Sequence, residues 1–200
     1  MRVWRERYHK PSFVLTRGEE GVKGSGRSIE SYSMYEKLCE CKEYLTKFGG
    51  HPMAAGLSLE EENVERFRRK LNEQSGLTEE DLVEKVTIDV PMPIHYIRKD
   101  LVQELSLLEP FGKGNEKPLF AQKNLWISQM RVFGKNRNVV KMRLTDENGY
   151  PMDGVYFGNG DEFAEEGRGK RKISIVYYPD INMYQGRESL QVIIRHYQFD

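Results

Sequence analysis

Residues 47–56 read "KFGGHPMAAG", and how this stretch is read decides the architecture of the first part of the chain. An ordinary turn needs one or two small residues; here Gly49, Gly50, His51 and Pro52 run directly into Ala54, Ala55 and Gly56. Gly49 and Gly50 can adopt positive φ and leave amide groups open to an anion. His51 adds a ring N–H donor that is partly charged near neutral pH. The plainer reading is a glycine cap and a turn, with His51 satisfied by a carbonyl.

Upstream, Met34, Leu38, Cys41, Leu45 and Phe48 are spaced four, three, four, three, which predicts one helix with an inward face. Ser33 with Glu36 forms a capping box before it, and Gly49 stops it. Before that helix, "SFVLT" (12–16) and "VKGSGRS" (22–28) read as strands, the glycines of the second marking close backbone approach. After the decapeptide, "MAAGLSL" is extended. Ser58 with Glu61 then caps a helix carrying Val64, Phe67 and Leu71, its basic run (Arg66, Arg68, Arg69, Lys70) favoured by the helix dipole, and Gly76 ends it. The predicted order is strand, strand, helix, strand, helix.

Residues 77–83 read as a short helical connector capped by Thr78, and "VTIDVPMP" as a strand closed by prolines. Ile97, Leu101, Val102, Leu105 and Leu108 mark a helix that halts before Pro110. From Leu119 the pattern becomes short strands, at 119–134, 138–146, 151–158, 171–179 and 188–198, with a helical turn at Glu162–Glu165. Five strands and one helical turn predict a small oligonucleotide-binding (OB) barrel.

The chain has 31 basic and 31 acidic side chains, so it is not a uniformly basic nucleic-acid binder. Charge is nevertheless segregated: residues 1–76 carry 14 basic and 12 acidic groups, 77–122 carry 5 and 9, and 123–200 carry 12 and 10. Cys39 and Cys41 lie two apart on the predicted helix, so they point apart and read as free thiols of a reducing, cytoplasmic setting. No apolar run reaches the ~18 residues of a membrane span, and no secretory signal opens the chain. "MRVWRERYHK" is charged and helical in character and reads as the end of a longer helix entered midway, so the chain is taken as a piece of a larger protein.

A second polar patch is "GSGRS", Gly24–Ser28. On a strand, Ser25 and Arg27 face the same way, and a guanidinium beside a hydroxyl suits an oxyanion; alone, the patch could equally be a solvated strand edge. "GSGRS", then "FGGHPMAAG", then "LLEPFGKGNEKPLF", in that order, resemble the C-terminal portion of the RecJ family, the single-strand-specific 5′→3′ DNA exonucleases of the DHH phosphoesterase superfamily. The glycine-histidine motif belongs to the whole superfamily; "PFGKGN" leading into a barrel points to RecJ, with Glu116 standing where relatives commonly have proline.

The resemblance implies an α+β chain. A small α/β DHH-associated domain with a mixed sheet (1–76) and a connector (77–118) would precede an OB-fold barrel (119–200). It implies that Ser25 and Arg27 hold DNA phosphate, including the 5′ end, and that Gly49, Gly50 and His51 contact the scissile or neighbouring phosphate. It implies a hydrolase for DNA repair and recombination with single-stranded DNA as substrate, no membrane association, and DNA-repair proteins as candidate partners. The family's Mn²⁺ or Mg²⁺ pair is held by an Asp-His-His domain that nothing here matches. His9, His51, His95 and His196 are scattered and no Asp/His cluster has ligand spacing, so no metal or catalytic residue is assigned and the chain alone is expected to be inactive. A stand-alone nucleic-acid-binding module and a phosphodiesterase of short oligonucleotides are the alternatives.

In "VVKMRLTD", Val140, Met142 and Leu144 alternate with Lys141, Arg143 and Thr145, giving one apolar and one basic face. With Arg131, Lys135 and Arg137 these form a basic stripe interleaved with Trp126, Phe133, Tyr156 and Phe157. The five cations are the expected single-strand contacts; the rings divide between stacking and core, and Tyr177, Tyr178 and Tyr184 are left open.

Overall fold

The computed structural model describes residues 9–19, 21–112 and 114–200. The helical reading of residues 1–8 and Lys113 of "PFGKGN" lie outside them. The chain divides into two compact units, Met1–Lys85 and Val86–Asp200.

The first unit is a four-stranded sheet in the order β1-β2-β4-β3, from β1 (Ser12–Gly18), β2 (Gly21–Arg27), β3 (Lys47–His51) and β4 (Ala54–Leu59). All three pairings are antiparallel, where a mixed sheet was expected; tight hairpins join β1 to β2 and β3 to β4, and β2 also runs antiparallel to β4. The period-2 alternation of a strand sends Phe13, Leu15, Val22, Phe48, Ala55, Leu57 and Leu59 to one face. There they pack with Met34, Leu38 and Phe67 from helices α1 (Met34–Cys39) and α2 (Val64–Glu73).

Three local expectations fail here. The predicted helix stops at Cys39; a 3₁₀ turn (Lys42–Tyr44) follows, and Phe48 through His51 form a strand, so Gly49 is mid-strand rather than a helix stop. Phe48 meets the core as a strand residue opposite Leu57, and tertiary pairing overrides the helical spacing. Ser33 is the N-cap of α1, but its hydroxyl makes no capping bond. Ser58 lies within β4, and Asn63 is the N-cap of α2. Thr78 does anchor the following 3₁₀ turn, its N–H and hydroxyl both donating to Asp81 at 2.9 and 2.7 Å.

The second unit follows the predicted strands closely: β6 (Phe120–Phe133), β7 (Val139–Thr145), β8 (Pro151–Phe157), β9 (Lys172–Tyr184) and β10 (Arg187–Phe199). A two-residue strand β5 (Val90–Pro91) pairs in parallel with β6, strand order is β5-β6-β7-β8-β10-β9, and β9 pairs back onto β6. The ring is thinly joined at two places: β8 meets β10 over four residues, in parallel, and β6–β9 pairing is interrupted by a register shift. Helix α4 (Gly160–Glu166) lies between β8 and β9 in sequence, with Phe163 fully buried in the barrel core. The expected strand at 86–93 shrinks to β5 (Val90–Pro91), since its prolines cannot extend a ladder. Helix α3 (Lys99–Ser106) follows, and Ile94 and Ile97, just before it, are fully buried in the barrel core. No described helix is long and apolar enough to cross a membrane.

Candidate nucleic-acid interface

The face of the first sheet opposite the core is built by the same alternation. Register places Ser12, Arg27, Ala54 and His51 in one row across β1, β2, β4 and β3. Val14, Ser25, Gly56 and Gly49 form the next row, and Thr16, Lys23, Ser58 and Lys47 the third. Four of the five residues expected to hold phosphate, Ser25, Arg27, Gly49 and His51, therefore share one face.

Gly50 belongs to the other face. A Cβ there would lie 2.4 Å from the Ala54 carbonyl oxygen, and its φ is +150°, so this glycine permits close strand packing rather than ligand approach. The same holds for Gly24 and Gly26, where a Cβ would strike Leu15 and Met34. The glycines that open toward solvent are Gly49, with nothing within 4 Å of an added Cβ, and Gly56, whose nearest neighbour is the Gly24 carbonyl at 3.8 Å. They make a floor without side chains between cationic rows.

The polar groups on this face are partly oriented. Arg27 Nη1 donates to the Gly26 carbonyl at 2.8 Å and to Ser25 Oγ at 3.5 Å, which lays the guanidinium beside the hydroxyl. The Met53 amide donates to His51 Nδ1 at 3.3 Å, so in the neutral ring Nε2 bears the proton and can donate outward. β3 is an edge strand, so one of its sides has no strand neighbour. Lys23 and Lys47, which were not among the expected ligands, are exposed on the same face. Lys23 was legible as the third member of the Lys23, Ser25, Arg27 alternation; Lys47 was hidden by the mistaken helix. A cleft of about 480 Å³ opens on the opposite side, lined by Phe13, Leu15, Phe67 and Leu71 among others, a lining that suits apolar packing.

On the barrel, Arg131, Lys141 and Val155 form one row across β6, β7 and β8. Phe133, Val139 and Phe157 form the row beside it, and Gln129, Arg143 and Asp153 the row on the other side. A cleft of about 270 Å³ lies over this outer face, between the first two of these side chains and Asn182, Ser189 and Gln191. Lys135 sits in the β6–β7 loop. Two of the five expected cations have carboxylate partners: Arg137 bonds Asp161 and Arg143 bonds Asp153, each at 2.6 Å at the closest. Arg131, Lys135 and Lys141 make no ion pair among the described residues.

The rings divide as alternation requires. Tyr156 is stacked inward on Phe163, and the exposed Phe157 points out. Phe133 is exposed near Lys141, and Trp126 lies under the Lys172 ammonium at 4.4 Å. Tyr177 is buried, its hydroxyl donating to the Met92 carbonyl at 2.7 Å; burial drives that phenol far above its usual range. Lys117 sits over Tyr178 at 4.0 Å, and Tyr184 is exposed at the β9–β10 hairpin. In "PFGKGN", Asn115 donates to the Leu108 and Pro110 carbonyls, folding the loop onto itself.

His95, one of the scattered histidines, has a structural partner that no spacing rule reveals. Its Nδ1 lies 2.7 Å from Asp146 Oδ2, while Asp146 Oδ1 accepts from the amides of Asn148 and Tyr150. Burial pushes the Asp146 carboxyl up, but the Tyr150 amide, His95 and the Asn148 amide together outweigh it and hold it below the usual range. Among the described residues no three His, Cys, Asp or Glu side chains converge in a way that could hold a metal ion. The described side chains therefore offer no donor set that fits a divalent pair.

Comparison with known proteins agrees with this division. The family model described as the RecJ OB domain matches residues 88–196, and that described as the DHHA1 domain matches residues 3–76. The single-stranded-DNA-specific exonuclease RecJ of Bacillus subtilis is 38% identical over 196 residues, a match covering 95% of this chain and 24% of that protein. RecJ of Salmonella typhimurium is 33% identical over 198 residues, covering 95% and 34%. The crystal structure of Thermus thermophilus RecJ in complex with Mg²⁺ has a TM-score of 0.78 at 23% identity over 97% of this chain and 29% of its own. Its Mn²⁺ complex gives 0.78 at 24%, over 97% and 27%. The chain thus spans about a quarter to a third of the length of the relatives it matches.

Proposed function

The chain belongs to the RecJ family, and on that premise we propose that it is the DNA-holding C-terminal part of a 5′→3′ single-strand-specific exonuclease acting in DNA repair and recombination. Residues 1–76 act as the phosphate-binding domain and 119–200 as the barrel that guides the strand, with 77–118 joining them. Single-stranded DNA is the partner, other repair proteins are candidate contacts, and the setting is cytoplasmic.

The observation that carries the reading is the shared exposed face of Arg27, Ser25, Gly49 and His51. Arg27, with five N–H donors in a rigid fork, takes two oxygens of a 5′-phosphate. Ser25 donates its hydroxyl to a third oxygen or to the adjoining diester. His51 donates Nε2–H, and the unpaired side of β3 and the bare floor at Gly49 let the DNA backbone approach the main chain. Gly50 serves by keeping β3 tight against β4. On the barrel, Arg131, Lys135 and Lys141 meet diester phosphates, with Arg137 and Arg143 contributing less while held by their carboxylates. Phe133 and Phe157 offer faces on which bases stack, at about 1–3 kcal/mol per base.

Metal chemistry in this family would be a matter for residues outside this chain: a divalent pair would activate the attacking water, and the side chains here would bind and orient the strand. The decisive measurement is the affinity of wild type and Arg27→Ala for 5′-phosphorylated and 5′-hydroxyl single strands. The substitution should cost the phosphorylated strand about tenfold more, in line with loss of a charge-assisted bond. Equal losses for the two ligands would refute the 5′-end assignment.

A further inference from the structure

We propose that the cleft on the outer face of the barrel takes one splayed-out nucleobase and prefers guanine, read by Arg143 and Asp153 side by side. The inference rests on the strand-guiding role proposed above for the barrel and adds a base site to its phosphate contacts.

Register places Gln129, Arg143, Asp153 and Gln191 in one row across β6, β7, β8 and β10. All four line the cleft of about 270 Å³. That volume lies just under the roughly 300–1,000 Å³ of small-molecule pockets, so it suits one ring system and not a run of nucleotides. Val155, in the neighbouring row with Arg131 and Lys141, is 4% exposed although it belongs to the outer face, and it gives the cleft an apolar floor. The exposed Phe133 lies at the cleft's edge.

The chemistry of this row differs from that of a phosphate site. Asp153 would repel a diester, and Gln129 and Gln191 bring no charge. A base edge calls for such a mixture of donors and acceptors. The Arg143–Asp153 pair is also unsaturated. It is joined by one bond, Nη1 to Oδ1 at 2.6 Å, whereas Arg137 Nε engages both oxygens of Asp161, at 2.7 and 2.9 Å. Asp153 Oδ2 and the Nε and Nη2 groups of Arg143 make no hydrogen bond among the described residues.

Guanine sets two acceptors, N7 and O6, beside two donor groups, N1–H and the N2 amine. The free guanidinium N–H groups meet the acceptors and Oδ2 meets the donors, so one base satisfies both partners without breaking their bond. Cytosine and adenine bring Asp153 one amine each. Thymine brings one imide N–H flanked by two carbonyls, which a carboxylate repels.

The test is an anisotropy titration of the 200-residue chain with labelled thymidine nonamers whose central base is thymine, cytosine, adenine, guanine, hypoxanthine or 7-deazaguanine. One guanine should tighten binding about tenfold over thymine, as a bidentate base contact allows. Hypoxanthine, which lacks the N2 amine, and 7-deazaguanine, which lacks N7, should each keep a gain of roughly threefold. Asp153→Ala should erase the guanine gain while tightening the all-thymine strand by about twofold, because Arg143 loses its counter-charge. Arg143→Gln should erase the gain as well. The two side chains are 43% (Arg143) and 53% (Asp153) exposed, so an unchanged melting temperature should accompany both results. Equal affinity for all bases, a preference for another base, or the same loss on every strand in Asp153→Ala would overturn the base site. Arg131→Gln with Lys141→Gln should weaken every strand alike, whichever base it carries. If that variant weakens none of them, the strand-guiding reading itself fails.

Discussion

Arg27 and His51 flank the same residue, Ala54, from opposite sides, so the two groups sit two strands apart in one row of the exposed sheet face. Strands lie about 4.8 Å apart, which leaves room for a single phosphate between the guanidinium and the ring. A large side chain at Ala54 would fill that space, so Ala54→Phe should abolish the preference for 5′-phosphorylated over 5′-hydroxyl ends in a binding assay. A preference that survives would mean the two groups do not share a ligand.

Gly49 and Gly50 are neighbours with opposite requirements. Gly49→Ala adds a methyl to open space, and its melting temperature should stay near that of the wild type. Gly50→Ala drives a methyl into the Ala54 carbonyl from a positive-φ backbone, and should destabilise by more than about 1 kcal/mol. Chemical unfolding of the two variants should rank them in that order.

The barrel cations separate by partner. Neutralising Arg131 or Lys141 should each flatten the dependence of log K on log salt by about 0.7 for a long single strand. Arg137→Gln and Arg143→Gln should flatten it less, because Asp161 and Asp153 already compensate those charges. Equal effects at all four positions would contradict this division.

Asp146 makes the barrel acid-sensitive. Its carboxyl titrates below the usual range in the folded state, so its contribution is present above the unfolded value of about 4 and is lost as pH falls through the folded one. Asp146→Asn removes the charge at every pH. The stability gap between wild type and variant in urea unfolding should therefore be wide at pH 7, on the order of 1–3 kcal/mol, and should close toward pH 3. A gap that widens in acid would reverse the assignment.

Cys41 is buried, and burial pushes its thiol up to about 11. Since the thiolate is the reactive species, a thiol-specific reagent at pH 8 should label the part-exposed Cys39 first and Cys41 only after unfolding. Comparable rates for the two in the native chain would contradict the packing around Cys41.

Incubated with Mn²⁺ and 5′-labelled single strands, the 200-residue chain should bind and release no nucleotides. Release of mononucleotides by the pure chain would contradict this expectation, since among the described residues no three ligating side chains converge.

The sequence by itself determined the barrel strands and the shared face of Ser25 and Arg27. Alternation is a local property, and five strands bounded by glycine and proline turns state it without reference to anything distant. Spacing at Met34, Leu38 and Cys41 likewise announced a helix, but it continued deceptively through Leu45 and Phe48. Only tertiary pairing with β4 made residues 47–51 a strand, because Phe48 gains the core opposite Leu57. That one change of element brought Lys47 and His51 onto the face of Lys23 and Arg27, and turned Gly50 from an open amide into a packing necessity. Ion pairing was equally beyond the sequence: Arg137 meets Asp161 and His95 meets Asp146 only when distant segments fold together, and no local period encodes a contact of that range.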